Sequence, residues 1–487
     1  MIVVRCSEDN FIYDVHSLVK AFYPSEDIKV FAEGEKDITS DEGRPEFTIT
    51  YSENNLRIEI LEGPDKKVAK LVDVNGLDYS LRADYKNSLK RAIYGLLSEV
   101  TGEQLPWGTL TGIRPTKIAK SMIDSGATDE EVQSHMKEVY LCSDEKARLA
   151  VEIAHYENEI LADIDYENGY SLYIGIPFCP STCLYCSFTS YPIGGFRGKV
   201  EDYLAAVKKE IDYVAESFAD KTLDTVYIGG GTPTTLEAFQ LKELIDYAKD
   251  KLDWSQVKEF TVEAGRADSI TREKLETLLG CGVTRISVNP QTMNEETLRI
   301  IGRKATAEAT VECYKMAREV GFDNINMDLI VGLPNEKIDD VRYTLRRVEE
   351  LAPDSLTVHS LAIKRASRLA QVIDEMGYET ISNSDDIMTL TSSVANNMNM
   401  KAYYLYRQKN MSGNFENVGY AISGKAGIYN ILIMEEVQTI VALGAGTVTK
   451  RVYGDGRIER CDNVKDVALY ISKIEEMIDR KRRLFKD

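Results

Sequence analysis

Cys179-Pro-Ser-Thr-Cys183-Leu-Tyr-Cys186 places three thiols within eight residues, directly after a short apolar run at 171–176. Thiolates are soft ligands, suited to zinc or to iron–sulfur clusters. A structural zinc site wants a fourth Cys or His close by. The other five cysteines, Cys6, Cys142, Cys281, Cys313 and Cys461, are isolated, and His16, His135, His155 and His359 complete no familiar zinc spacing. Three ligands on a four-iron cluster leave one iron open. An open iron can chelate the amino and carboxylate groups of a small molecule and hold its reactive bond beside an electron source. Clustered core cysteines or a zinc knot are the competing readings, and three-ligand spacing after a strand fits neither well.

Loop ligands need a scaffold. At 487 residues the chain exceeds one hydrophobic core and predicts two to four domains. The composition, 43% hydrophobic and 28% charged, is that of an ordinary globular protein. It contains no apolar run long enough to span a bilayer, so no membrane insertion is expected. The N-terminus Met1-Ile-Val-Val-Arg5 lacks the features of a secretory signal, which makes the cytoplasm the expected compartment and disulfides unexpected. A net charge of −20 argues against a nucleic-acid-binding surface.

Residues 1–165 read as an α/β accessory domain. Its strands are expected near Phe47–Tyr51, Arg57–Leu61 and Ala69–Val74, with turns at Ser40–Arg44 and Glu62–Lys67 and helices at Ser88–Val100 and Asp144–Leu161. Residues 166–365 alternate short apolar runs with amphipathic stretches, the pattern of a parallel βα array. Strands are predicted near 171–176, 224–229, 258–263, 283–288, 324–330 and 354–359. The intervening helices are predicted at Glu201–Ser217, Leu236–Lys251, Arg272–Leu279, Glu295–Ile300, Ala307–Val320 and Val341–Leu351. The fold class is therefore α/β, a full or partial (βα) TIM-like barrel, with functional groups after the C-terminal ends of the strands. Periodicity alone does not separate a closed barrel from an open sheet. Residues 366–487 read as a C-terminal subdomain.

Cys-x3-Cys-x2-Cys on the first βα loop resembles the radical S-adenosylmethionine (radical SAM) superfamily. Tyr173-Ile-Gly-Ile-Pro-Phe-Cys179, Tyr227-Ile-Gly-Gly-Gly-Thr-Pro-Thr234, Ser287-Val-Asn-Pro-Gln291 and Asn326-Met-Asp-Leu-Ile-Val-Gly-Leu-Pro334 narrow this. Together they are similar to the oxygen-independent coproporphyrinogen III dehydrogenase group over roughly residues 170–365. The N-terminal extension and Glu263-Ala-Gly-Arg-Ala-Asp-Ser269 look most like its HemZ-type branch.

The resemblance implies a 4Fe–4S cluster on Cys179, Cys183 and Cys186, with S-adenosylmethionine as second cofactor. It places Gly230, Gly231, Thr232 and Glu263 at the S-adenosylmethionine site, Tyr185 and the Ala362 backbone on the adenine side, and Tyr173 beside the cluster and methionyl end. Gln291 and Asp328 offer an amide and a carboxylate suited to ribose hydroxyls, and the donor fork of Arg303 suits the methionyl carboxylate. Taken singly, each residue also has a bland role: a tight turn for the glycines, a salt bridge for Glu263, core packing for the tyrosines. No catalytic side chain is assigned beyond the cluster ligands.

The implied chemistry is reductive cleavage of the sulfonium to methionine and a 5′-deoxyadenosyl radical, which takes hydrogen from propionate side chains that then lose carbon dioxide and one electron to become vinyl groups. The implied partners are a small-molecule substrate, a porphyrinogen, and an external electron donor. Related haem chaperones carry His-Asn-x-x-Tyr-Trp, which falls at Glu416-Asn417-Val-Gly-Tyr420-Ala421 here, without the His and the Trp. Haem binding and radical chemistry on another tetrapyrrole-like substrate are the alternatives. Two further features have competing readings: His359, at a predicted strand end, suits a structural role or a substrate contact, and Trp107-Gly-Thr-Leu-Thr-Gly-Ile-Arg114-Pro115-Thr-Lys117 offers two cations for a propionate clamp but reads best as a loop that packs the accessory region on the barrel.

Overall fold

The computed structural model describes residues 1–32, 34, 38–51, 55–62, 66–73, 82–112, 114–364, 366–377, 381, 383–408 and 411–486. It forms two compact units. One comprises Met1–His155, Asn383–Asp385 and Tyr406–Glu416, the other Tyr156–Ser382, Asp386–Leu405 and Asn417–Asp487. No described helix is long and apolar enough to cross a membrane.

The first unit is built on a five-stranded sheet ordered Ile28–Ala32, Ile2–Cys6, Glu46–Tyr51, Asn55–Glu62, Lys66–Asp73. The first three strands run parallel and the last three antiparallel. Alternate residues Ile2, Val4, Phe47, Ile49, Leu56 and Ile58 form one buried core with Val15, Leu18 and Val19 of the helix Ile12–Phe22 and with Leu89, Ile93 and Leu97 of the helix Arg82–Thr101. The period of two along the strands and the helical spacing of the partners are what make these elements fit. The predicted strands and both predicted helices are present. Val74 and residues 63–65 of the predicted turn lie outside the described residues.

The second unit carries an eleven-stranded sheet. Its centre is the parallel series Gly169–Ile176, Thr222–Gly230, Glu259–Gly265, Arg285–Val288, Ile325–Val331, Ser355–Ser360, paired in that order. Beyond Ser355–Ser360 lie antiparallel Asn417–Ala421 and then Lys401–Tyr406. Beyond Gly169–Ile176 lie parallel Thr439–Leu443 and then the antiparallel strands Val448–Val452 and Ile458–Asp462. Among the described residues the sheet therefore has two ends and does not close, so the TIM-like array is partial.

Along these strands, side chains alternate in character. Leu172, Ile174, Val226, Ile228, Phe260, Val262, Ile286, Met327, Leu356 and Val358 are almost fully buried apolar residues. Between them stand Ser171, Tyr173, Thr225, Tyr227, Glu259, Thr261, Glu263, Arg285, Asn326, Asp328, Thr357 and His359. The apolar set suits packing against the helices and the polar set shares the opposite face. Hydrogen bonds link neighbouring strands across that face: Thr225 Oγ1 donates to Ser171 Oγ at 2.8 Å, Arg285 to Ser355 at 3.2 Å and Thr357 to Asn326 at 3.3 Å. Glu259 accepts the Ile428 backbone N–H at 2.6 Å, so a buried carboxylate meets the N-terminus of the helix Ile428–Glu435, where the helix dipole favours negative charge.

Candidate functional site

Two loops at neighbouring strand ends meet at Cys179. The strand Gly169–Ile176 leads into the cysteine loop, and Thr222–Gly230 ends in the glycine run. Gly231 N–H donates to Ile176 O at 2.8 Å and Thr232 N–H to Phe178 O at 2.7 Å, zipping the loops together. The contact is so close that a Cβ on Gly231 would lie 2.6 Å from Phe178 O and 3.0 Å from Cys179 Sγ. Gly230 adopts a φ of +110°, open chiefly to glycine. Thr232 Oγ1 donates to Cys179 Sγ at 3.5 Å. The glycines are thus both a tight turn and a wall of the cysteine loop.

Cys183 faces two guanidinium groups. Arg266 Nη1 lies 3.6 Å from its Sγ, and Arg303 also bonds it while directing Nη1 to Asn289 O at 2.5 Å and Nη2 to Tyr185 Oη at 3.4 Å. Burial pulls the Arg303 pKa down, but Tyr185 and Cys183 outweigh it, so Arg303 stays firmly charged. Burial pushes the Cys179 thiol up to about 11 against the lowering effect of Thr232, while the neighbouring Cys183 and Cys186 add to the rise. A bound metal charge reverses that preference.

The remaining predicted residues line the polar face nearby. The Tyr173 ring stacks on Tyr227 with centroids 6.0 Å apart, and Tyr227 stacks on Tyr429 at 4.5 Å. Tyr227 Oη donates to Glu263 at 2.7 Å. Burial raises the Glu263 carboxyl to about 7, opposed by Tyr227 and reinforced by the charge of Asp328. Asp328 accepts from Asn326 Nδ2 at 2.7 Å. Gln291, at a left-handed φ of 66°, is held by a bridge to Leu329: its N–H donates to Asp328 O and its carbonyl accepts from Ile330, each at 2.9 Å. Ala362 follows the end of Ser355–Ser360, where Leu361 N–H donates to Val331 O at 2.9 Å. His359 shares this face, hydrogen-bonded to Asn417, with its pKa lowered by burial against the pull of Asp328.

A family model of the radical SAM superfamily matches residues 173–348. The oxygen-independent coproporphyrinogen-III oxidase-like protein HemZ of Bacillus subtilis (strain 168) is 41% identical over 403 residues, covering 81% of this chain and 80% of HemZ. The chain belongs to the radical SAM superfamily, in its coproporphyrinogen III oxidase-like family. Within this family it is also similar to the heme chaperone HemW of Bacillus subtilis, 36% identical over 195 residues, or 40% of this chain and 51% of HemW. The structure of coproporphyrinogen III oxidase (HemN) from Escherichia coli shares the fold, with a TM-score of 0.53 at 23% identity over 64% of this chain and 70% of that one.

Radical SAM proteins work with a 4Fe–4S cluster and S-adenosylmethionine, and the residues present fit both. Among the described residues no three His, Cys, Asp or Glu side chains close on a single ion. The cradle that a Gly231 Cβ would fill, the paired guanidiniums and the amide and carboxylate at adjacent strand ends together suit a small zwitterion with a ribose.

Three residues of this site had no role in the sequence reading. Tyr227, Arg266 and Tyr429 contribute through contacts with Glu263, Cys183 and the Tyr227 ring. The first two sit inside the motifs quoted above, so spacing drew attention to them without revealing what they touch. The Trp107–Lys117 segment belongs to the first unit, with Ile113 outside the described residues. There Trp107 Nε1 donates to Glu416 at 2.7 Å, and Lys146 pairs with the same carboxylate at 2.8 Å. Arg407 donates to Leu110 O and, at 2.6 Å, to Asn414 O.

Proposed function

We propose that Cys179, Cys183 and Cys186 hold the cluster, that Tyr173, Tyr185, Gly230, Gly231, Thr232, Glu263, Gln291, Arg303, Asp328 and Ala362 form the S-adenosylmethionine site, and that the enzyme oxidatively decarboxylates coproporphyrinogen III to protoporphyrinogen IX without oxygen. The observation that carries the cluster and cofactor assignment is the convergence of Cys179 on Gly231 and Thr232 and of Cys183 on Arg303; the substrate draws on the similarity to the oxidase-like protein HemZ. When bound, the cofactor pair supplies one electron to a carbon–sulfur bond and so a carbon radical able to take hydrogen from a substrate side chain.

The chain's own part is positional. Arg303, already fixed on Asn289 and Tyr185, has a fork suited to a carboxylate. The Gln291 amide and the Asp328 carboxylate are presented from a bridged, hydrogen-bonded backbone, so little freedom is lost when they bind hydroxyls. Glu263, titrating at about 7, is able to accept or donate a hydrogen bond near neutral pH. The stacked Tyr173, Tyr227 and Tyr429 flank it, and Tyr227 Oη holds its carboxylate.

A haem-chaperone reading draws on the similarity to HemW. At the position of the chaperone histidine, however, stands Glu416, 1% exposed and committed to Trp107 and Lys146, which does not favour axial ligation of iron. The test is anaerobic turnover of reconstituted protein with S-adenosylmethionine, reductant and coproporphyrinogen III, with Cys183→Ala as control. Protoporphyrinogen by mass, absent from the control, is the expected result. Cysteine-dependent 5′-deoxyadenosine without decarboxylated product overturns the substrate and keeps the radical chemistry. No cleavage, with haem bound and passed to an acceptor, moves the assignment to the chaperone.

A further inference from the structure

The chain turns sharply after the strand Glu259–Gly265, at Gly265 with φ +68°, and the next residue is Arg266, whose side chain is 5% exposed. Its backbone is pinned, since Ser269 N–H donates to Arg266 O at 3.0 Å and Ser269 Oγ to the same oxygen at 2.8 Å. Every edge of the guanidinium is engaged. Nε and Nη2 donate to the two Asp268 oxygens at 3.0 and 2.7 Å, Nη2 reaches Ser181 Oγ at 3.1 Å, and Nη1 donates to Ser181 O at 2.7 Å and lies 3.6 Å from Cys183 Sγ. The carboxylate of Asp268 aims the group, and the remaining donors converge on the first half of the cysteine loop.

Resting on the assignment of Cys183 as a cluster ligand, we infer that Arg266 is a positioning residue that fixes the 181–183 segment and donates an N–H to the Cys183 ligand sulfur, raising the reduction potential of the cluster. A hydrogen bond to a ligand sulfur withdraws electron density and favours the reduced state, and such bonds are among the features that set iron–sulfur potentials. The guanidinium is well suited, because it stays charged when buried and its planar fork serves Asp268, Ser181 and the sulfur at once. Arg303 touches the same sulfur and is oriented toward Tyr185 and Asn289, so the two arginines divide the work: one faces the proposed cofactor carboxylate, the other secures the loop.

The experiment is an anaerobic redox titration, followed by electron paramagnetic resonance, of reconstituted full-length wild-type, Arg266→Gln and Arg266→Lys proteins, with iron and sulfide counted in each. Arg266→Gln is expected to lower the reduced-to-oxidised ratio at a given potential about tenfold, equivalent to about 59 mV for a one-electron couple, with Arg266→Lys recovering part of the shift. Loss of the cluster from Arg266→Gln but not from Arg266→Lys also supports the inference, because it shows the cationic donor is needed. Equal potentials in all three proteins overturn it, as does equal loss of cluster from both variants, which would reduce Arg266 to a shape that fills space. A wild-type protein that reconstitutes no cysteine-dependent cluster overturns the ligand assignment and this inference with it.

Discussion

Replacing Gly231 by alanine tests the central contact most directly. The new methyl group would stand 2.6 Å from Phe178 O and 3.0 Å from both Cys179 Sγ and Ile176 O. None of these is the loose end of a long side chain. Ile176 O and Phe178 O are the acceptors for Gly231 and Thr232 at 2.8 and 2.7 Å, so relief requires the cysteine loop to move away and stretch both bonds. Overpacking of this kind costs about 1–3 kcal/mol, and weakening two hydrogen bonds adds about 0.5–1.5 kcal/mol for each. Their sum, about 2–6 kcal/mol, corresponds to a fall in Tm of about 4–12 °C at roughly 2 °C per kcal/mol for a unit of this size. Calorimetry of the cluster-free protein reads the first effect, and iron and sulfide content after reconstitution reads the displacement of Cys179. Gly194→Ala is the control, because a Cβ there meets nothing within 4 Å. A Gly231→Ala protein that matches this control in both Tm and iron content would refute the claim that the glycine run walls the cysteine loop.

Two further outcomes follow from buried charges. Burial raises Glu263 and Glu336 from an ordinary value of 4.5 to about 7, and Glu336 is 3% exposed with Thr292 donating to it at 2.5 Å. The folded protein therefore holds these protons more tightly than the unfolded chain, and their stabilising contribution, complete below about pH 4.5, declines as pH rises toward 7. For Glu336 this amounts to about 3 kcal/mol at most; Glu336→Gln should flatten the pH dependence of urea unfolding over that window, and an unchanged slope would contradict it. In the first unit, Glu416→Ala strands the Trp107 N–H and leaves Lys146, 4% exposed, with the outlying carboxylate of Glu145 at 3.2 Å as its remaining ion pair among the described residues. A loss of about 3–5 kcal/mol is expected from urea unfolding followed by tryptophan fluorescence, and a loss below about 1 kcal/mol would show the pair to be incidental.

Much of this molecule is legible from local pattern. Ala307–Val320 and Glu295–Ile300 match their predicted bounds, and the six central strands fall within a few residues of expectation, because each is a run whose apolar period is set by its own neighbours. The Cys-x3-Cys-x2-Cys loop and the glycine run are likewise short-range, and their meeting follows from pairing of the strands that carry them. Arg266 is different: nothing in Glu263–Ser269 shows that its side chain reaches back more than 80 residues to Ser181 and Cys183. The same holds for Tyr429, which joins the Tyr173 and Tyr227 stack from a distant helix.

By itself, then, the sequence determines the elements, their order and the chemical identity of the cysteine loop, since propensity, period and ligand spacing act over a few residues. Tertiary structure alone decides that the sheet stays open between Lys401–Tyr406 and Ile458–Asp462, that Glu263 titrates near 7, and that Glu416 is spent on Trp107 and Lys146. The physical reason is that strand closure, desolvation and buried pairing depend on what distant segments bring to a position, and a residue's type does not carry that information.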